Sequence, residues 1–252
     1  MTARIHDTAA AGFSAGSGAY ARGRPSYPAE AVEFLAAELG LGPGKKVLDL
    51  AAGTGKFTAL LVPTGAEVVA VEPVKQMGDE LRASVSGVEV LEGTAEDIPQ
   101  PDDSLDAVTV AQAFHWFDHD KALAEIARVL RPGGGLALLW NRRDDAVPWV
   151  KRVNELIRWH EFRYGNYDLV DWPDVVERSG RFSPLQSRTF RYEQTLDRGG
   201  LEARIRSVSY IAAMEPQERD SVVALGMTAI EGMPEPFVLP YNTLVYWCST
   251  RS

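Results

Sequence analysis

The chain has 252 residues, of which 45% are hydrophobic and 24% charged, which is ordinary for a soluble globular protein of one large domain with room for a smaller subdomain. Its formal net charge is −9. Binding to a nucleic-acid backbone needs a clustered Lys and Arg surface, so this charge predicts that no nucleic acid is the main partner.

Cysteine usage and hydropathy narrow the class further. The single cysteine, Cys248, excludes an internal disulfide and a cysteine-rich metal site, and it is compatible with a reducing cytosol. No apolar stretch approaches the roughly 18 to 20 residues that a membrane span requires. We therefore expect a cytoplasmic protein with no bound metal and no membrane contact. Its small, glycine-rich beginning predicts a mobile N-terminal arm over residues 1–28.

Helical and extended patterns alternate after this arm. Apolar residues at helical spacing predict a helix over 29–39, which Gly40 to Gly44 then ends. The alternation predicts a parallel sheet with right-handed crossovers and helices on both faces. The expected strands lie at 46–50, 67–72, 88–91, 105–111 and 135–140, with helices near 55–62, 74–84 and 119–130.

The alternation stops beyond Asn141. Residues 144–183 are rich in Trp and Tyr in helical surroundings, and we interpret them as a helical cap over the carboxyl edge of the sheet. A strand near 185–192, helices near 198–213 and 216–231, and a strand near 237–248 complete the chain. The expected domains are the arm at 1–28, a core at 29–143, the cap at 144–183, and a C-terminal part of the core sheet with inserted helices at 184–252.

The segment from Val47 to Thr58 reads as a buried strand, a glycine turn and the start of a helix. A second buried strand then ends at Glu72. Glycines after a first strand and an acid after the second are typical of nucleoside-binding α/β folds, where the acid accepts hydrogen bonds from ribose. A dinucleotide site also requires a third glycine, where this chain has Thr58, so a nicotinamide oxidoreductase is disfavoured.

The pattern Asp49-x-x-x-Gly53-x-Gly55 resembles motif I of class I S-adenosylmethionine-dependent methyltransferases, with Ala51 where the family has glycine. The resemblance continues through residues 20–142. It implies that Glu72 holds the ribose, that Met77 packs on the adenine, and that residues 94–96 read the adenine edge. The residues it assigns to S-adenosylmethionine are Tyr20, Arg24, Asp49, Ala51, Gly53, Gly55, Glu72, Pro73, Met77, Thr94, Ala95, Glu96, Ala111 and Gln112.

Within that class, residues 20–28 and 112–117 are most similar to the small-molecule group related to the ubiquinone-biosynthesis and trans-aconitate methyltransferases. The resemblance implies a three-layer, Rossmann-like α/β fold with a seven-stranded, mostly parallel sheet and a helical cap. The expected strand order is 3-2-1-4-5-7-6, with the last strand antiparallel.

Methyl transfer from a sulfonium is an in-line displacement, which needs alignment and exclusion of water more than acid or base chemistry. His115 follows the fourth strand, so it is the candidate general base for an acceptor that needs one, or a residue that bonds the cofactor and orders the loop. The residues expected to contact a small-molecule acceptor are His115, Trp116, Asn141, Arg142, Trp149 and Tyr164. The alternative function is a regulatory module that binds S-adenosylmethionine without catalysis.

Overall fold

A computed structural model describes residues 24–161 and 171–251 of the protein. Seven strands form one mixed sheet in the order β3-β2-β1-β4-β5-β7-β6, which confirms the predicted architecture. The strands are β1 (Lys46–Leu50), β2 (Glu67–Val71), β3 (Glu89–Leu91), β4 (Leu105–Ala111), β5 (Leu130–Arg143), β6 (Gln186–Leu196) and β7 (Phe237–Ser249). The helices are α1 (Ala29–Glu38), α2 (Thr58–Leu61), α3 (Lys75–Ser84), α4 (His119–Val129), α5 (Pro148–Leu156), α6 (Trp172–Arg178), α7 (Arg198–Arg206), α8 (Ser209–Ala212) and α9 (Pro216–Met227).

The central strands pair in parallel. Asp49 of β1 lies beside Ala70 of β2 and Thr109 of β4, so the carboxyl ends of these three strands meet at one edge. The chain runs outward from β1 through β2 to β3, and then returns to the other side of β1 with β4. This reversal is a topological switch point, where open α/β sheets bind their ligands.

The protein divides into two compact units, which we name by their contents. Among the described residues, the core unit comprises Ser26–Trp140, 171–190 and 243–251. The helical unit comprises 24–25, 141–161 and Arg191–Asn242. In the described part of the chain, none of the helices has the length and apolar character needed to cross a bilayer.

Each unit has its own apolar core. In the core unit, Ala31, Val32 and Leu35 occupy one face of α1 and pack in a cluster that includes Val47 of β1 and Val245 of β7. This spacing of three and four residues is the one from which the helix was predicted. In the helical unit, α5, α7 and α9 supply the core through residues such as Val153, Ile205 and Val223.

The glycine run before the fifth strand differs from expectation. The sequence predicts that Arg131 to Gly135 separates α4 from a strand at 135–140, but β5 already begins at Leu130. Leu105 pairs with Leu130 and Ala107 with Gly135, so residues 131–134 bulge out of the ladder opposite a single residue of β4. Gly133 has φ 76°, a left-handed conformation that glycine adopts without steric cost.

Two predicted helices are shorter than their patterns. The helix expected over 55–62 is confined to Thr58–Leu61 and a 3₁₀ turn at Val62–Thr64, because Gly55 at φ 84° still belongs to the turn. The helix expected over 198–213 divides into α7 and α8, since Val208 has extended backbone and Ser207 Oγ donates to the carbonyl of Arg204 at 2.8 Å.

Candidate functional site

The glycine turn after β1 is tied to the end of β2. The backbone N–H of Gly53 donates to Glu72 Oε2 at 2.8 Å, and that of Ala52 donates to the carbonyl of Val71 at 3.1 Å. Gly53 has φ 59°, and a Cβ atom there would meet no described atom within 4 Å. At Gly55 a Cβ atom would lie 2.8 Å from Leu81 Cγ, so only glycine lets the turn pack on α3.

Glu72 is a buried acid held by neutral donors. Its second oxygen, Oε1, accepts from the backbone N–H of Val74 at 2.9 Å, and the residue is only 5% exposed. Burial raises the pKa of Glu72, although the two backbone hydrogen bonds lower it. The carboxyl group therefore holds the turn in place at the switch point.

Asp49 lies beside it with no exposed surface. Thr58 Oγ1 donates to Asp49 Oδ2 at 2.6 Å, and Thr109 Oγ1 donates to Oδ1 at 3.1 Å. Burial raises the pKa of Asp49 from 3.8 to about 7; the two threonine hydroxyls lower it, and the charge of Glu72 raises it. Two acids thus lie buried side by side, and in the described part of the chain their bonded hydrogen-bond donors are all neutral.

Two non-glycine residues at this edge have left-handed backbone. Ala51 follows β1 with φ 57°, and Gln112 follows β4 with φ 61°. Each such residue costs of order 1–2 kcal/mol, and conformations of this kind concentrate at functional sites. The N–H of Gln112 donates to the carbonyl of Leu139 at 2.8 Å, which helps to hold the strained turn beside β5.

The segment predicted to read an adenine edge is ordered by a carboxylate. Glu96 Oε1 accepts from the backbone N–H of Asp118 at 2.9 Å, and Asp118 is the N-cap of α4. Thr94 forms a bridge with Asp97, while Ala95 is buried. Met77 is buried on α3. Pro73, just after β2, is exposed, and Ala111, at the end of β4, is half-buried.

His115 lies in a 3₁₀ turn, Phe114–Trp116, that follows β4. The indole N–H of Trp140 donates to His115 Nδ1 at 3.3 Å, and Trp116 lies against the imidazole with ring centroids 4.9 Å apart. Trp140 is itself stacked on Trp172 at 4.9 Å and 13°. Because an indole can only donate, Nδ1 is the acceptor, and in a neutral His115 the proton lies on Nε2.

Four predicted site residues belong to the helical unit instead. Arg24 Nη2 donates to the carbonyl of Ser207 at 2.8 Å, and Trp149 packs edge-to-face on Phe237 in that unit's core. Asn141 is buried and Arg142 is exposed. The other two residues, Tyr20 and Tyr164, lie outside the described part of the chain.

Sequence reasoning missed three side chains that shape the core site. From the sequence, Thr58 mattered only because a dinucleotide-binding pattern has glycine at its position, yet its hydroxyl donates a hydrogen bond to Asp49. Thr109 is a polar residue inside a buried strand, and such a residue signals a buried hydrogen-bond partner. Trp140 ends an apolar run with a residue that carries a donor, and this donor reaches His115.

The site fits a ribonucleoside that carries a positive charge. Among the described residues, the two buried acids are bonded only to neutral donors, which favours a cation, and no cationic side chain is bonded to them to receive a pyrophosphate. The open space over Gly53 admits a ligand close to the backbone. A Rossmann-like sheet in this strand order with such a site defines the class I S-adenosylmethionine-dependent methyltransferases.

Comparison with known proteins agrees with this class. Residues 48–138 match the family described as "Methyltransferase domain". The chain is 34% identical over 206 residues to an uncharacterized methyltransferase-like protein of Schizosaccharomyces pombe, covering 81% of this chain and 80% of that protein. The chain therefore belongs to the methyltransferase family, and S-adenosylmethionine is the cofactor of this class, as predicted.

Two further relatives define the extent of the match. An uncharacterized methyltransferase of Mycobacterium tuberculosis is 52% identical over 145 residues, which cover 58% of this chain and 58% of that protein. The aligned part thus spans little more than half of the relative's length. A putative type II methyltransferase from Anaeromyxobacter dehalogenans has the same fold, with a TM-score of 0.64, 24% identity, and 90% of this chain and 97% of that one covered.

Proposed function

We propose that this protein is an S-adenosylmethionine-dependent methyltransferase that methylates an oxygen, nitrogen or carbon atom of a small-molecule acceptor. The observation that carries the proposal is the glycine turn bonded to Glu72 at the switch point of the sheet. The turn brings bare backbone to the ligand, and the carboxylate places hydrogen-bond acceptors where ribose hydroxyls bind in this fold.

Charge supports the same ligand. Among the described residues, the carboxyl groups of Asp49 and Glu72 are bonded only to hydroxyl and backbone donors, so no cationic side chain neutralises them there. When bound, S-adenosylmethionine supplies an electrophilic methyl group on a sulfonium, which an acceptor's lone pair takes as the carbon–sulfur bond breaks. A preorganised negative potential stabilises such a cation on binding.

The chain's own contribution is orientation. The rigid turn at Gly53, the strained backbone at Ala51 and Gln112, and the Glu96 bond to the start of α4 fix the positions of the groups that we assign to the cofactor. For an in-line displacement, such alignment supplies most of the rate. The described site therefore needs no acid–base residue when the acceptor carries a free lone pair.

We assign His115 the part of a hydrogen-bond donor to the acceptor. The Trp140 bond occupies Nδ1, so a neutral His115 presents an N–H at Nε2. A donor orients an acceptor oxygen but does not remove a proton. We also retain Trp116, Asn141, Arg142, Trp149 and Tyr164 as proposed acceptor contacts and 144–183 as the proposed cap.

Calorimetry with S-adenosylmethionine, S-adenosylhomocysteine and NAD tests the cofactor, and we expect the first two to bind and NAD not to bind. Transfer of a labelled methyl group into a metabolite extract, with product masses measured, tests the activity. Failure of both sulfur compounds to bind would refute the proposal. Binding without transfer to any acceptor would favour the regulatory module.

A further inference from the structure

The helical unit contains a buried arginine that no acid in the described part of the chain neutralises. Arg204 on α7 is only 4% exposed. Its Nε donates to Tyr241 Oη at 3.1 Å, and its Nη1 donates to Ser207 Oγ at 3.3 Å. These bonds use two of the five N–H donors of a guanidinium. Among residues 24–161 and 171–251, no carboxylate forms an ion pair with it.

Both partners of Arg204 are neutral groups held by further bonds. The Tyr241 hydroxyl donates to Gln194 Oε1 at 3.1 Å, and the Ser207 hydroxyl donates to the Arg204 carbonyl at 2.8 Å. Each hydroxyl therefore receives the arginine's hydrogen as an acceptor. The guanidinium is fixed in place while its charge remains uncompensated by these partners.

Two more guanidiniums lie in the same part of the unit. Arg24 Nη2 donates to the backbone carbonyl of Ser207, the residue that also bonds Arg204. Arg143 lies 4.5 Å above the ring of Trp159, which packs on Tyr210 at 6.4 Å. Burial raises the pKa of the Tyr210 hydroxyl, and the charges of Arg143, Arg204 and Arg158 lower it, so these charges converge on one hydroxyl. Of these, Arg158 is bonded to Glu161 at 2.7 Å.

Arginine cannot shed its proton inside a protein, so burying its charge without a nearby anion is costly. The described residues supply none to Arg204. We propose that the helical unit binds the carboxylate of an organic acid at Arg204. A planar guanidinium edge matches a carboxylate in two parallel hydrogen bonds.

This inference rests on the proposed function in one respect, that the methyl acceptor is the acid. It names a substrate class, carboxylic acids, that the cofactor site does not define. If the acceptor is a carboxylic acid, its neutral ester should be a poor ligand, although the carbon skeleton of the acid is unchanged.

The test is calorimetry of the full chain with succinate, citrate, dimethyl succinate and inorganic phosphate. We expect the carboxylates to bind and the neutral ester not to bind. In the Arg204→Gln variant the affinity for the bound carboxylate should fall about 30-fold or more, as for removal of one partner of a buried charge pair. Arg204→Lys should give an intermediate loss, because lysine keeps the charge but not the planar fork.

Arg206→Gln is the matched control. Arg206 lies two residues further along α7, is paired with Glu202 and Asp220, and should change carboxylate affinity by less than about twofold. Circular dichroism, measured for every variant, reports whether the protein is folded, and Arg204→Lys decides the question if Arg204→Gln does not fold.

Equal carboxylate affinity in the wild type and both Arg204 variants would overturn the inference, as would binding of phosphate or the ester in place of the acids. Carboxylate binding in a protein that binds neither sulfur compound would support this site while refuting the proposed cofactor. The two proposals thus fail separately.

Discussion

The core unit and the helical unit bury opposite charges. In the core unit, the hydrogen bonds that Asp49 and Glu72 accept from residues 24–161 and 171–251 all come from hydroxyl and backbone donors. In the helical unit, Arg204 donates to two hydroxyls, and no described acid forms an ion pair with it. A buried charge without a counter-charge is costly, so each arrangement is best explained by a ligand of opposite charge, a cation for the core unit and an anion for the helical unit.

The two units differ in how they tolerate the absence of that ligand. A buried carboxylate can take up a proton, and the pKa of Asp49, raised to about 7, shows that this happens near neutrality. A buried arginine has no such route, because it does not deprotonate in proteins. The charge of the acids therefore changes with pH, whereas the charge of the arginine can be balanced only by a bound anion.

The largest expected effect concerns Asp49 and stability. Its folded pKa lies above its unfolded value, so its contribution to stability is fully present below about pH 4 and is lost as pH rises toward 7. The rise from 3.8 to about 7 corresponds to about 4 kcal/mol. In Asp49→Asn this loss is absent, so the variant should gain stability relative to the wild type between pH 4 and 7. Urea unfolding across that range measures it.

Asp106→Asn is the control of opposite sign. Burial raises the pKa of Asp106, but bonds from the Lys46 backbone and from the Lys45 and Arg131 side chains outweigh it, so the pKa is lowered. Its stabilising contribution is present above its unfolded pKa and lost as pH falls. The Asp106 variant should therefore lose stability relative to the wild type as pH rises. If the free energies of unfolding of the wild type and Asp49→Asn change with pH in the same way, the pKa of Asp49 is not raised in the folded protein.

The next effect concerns Glu72 and cofactor affinity. Glu72→Gln removes the negative charge and turns an amide donor toward one of the two backbone N–H groups that the carboxylate accepts. We expect affinity for S-adenosylhomocysteine to fall about 100-fold, and that for the cationic S-adenosylmethionine to fall further, as charged hydrogen bonds contribute about 1.5–3 kcal/mol each. Calorimetry with both compounds gives the comparison.

Glu67→Gln is its control, because Glu67 begins the same strand on an exposed position and pairs with Lys46 at 3.1 Å. Its affinities should change by less than about twofold. If Glu72→Gln binds both compounds as the wild type does, Glu72 only stabilises the fold. The opposite charges buried in the two units would then not reflect the ligands that they bind.

The smallest effect concerns His115. Gln supplies an amide donor without a titratable nitrogen, so His115→Gln should reduce kcat by no more than about tenfold, whereas loss of a general base costs about a hundredfold or more. Nitrogen NMR of the wild type should show a protonated Nε2 and an unprotonated Nδ1. Trp140→Phe should abolish that tautomer preference and Trp172→Phe should preserve it. A protonated Nδ1 would contradict the donor assignment.

Local pattern predicted the core unit well because its determinants are close in sequence. The strands at 46–50 and 105–111 and the helix at 119–129 appear where the hydrophobic period places them. The bulge at 131–134 was not foreseen, since it depends on pairing with β4, which no local pattern of β5 reveals.

The chain's sequence by itself determined the glycine turn and the acid after the second strand, because a parallel α/β fold places those short motifs at one edge by its topology. The strand order followed from the resemblance to class I methyltransferases. Tertiary structure alone decided that Thr58 and Thr109 hold Asp49, that Trp140 orients His115, and that Arg204 lies buried among hydroxyls. These contacts join residues from 9 to 60 positions apart. Their strength comes from burial and geometry, which exist only once the chain has folded.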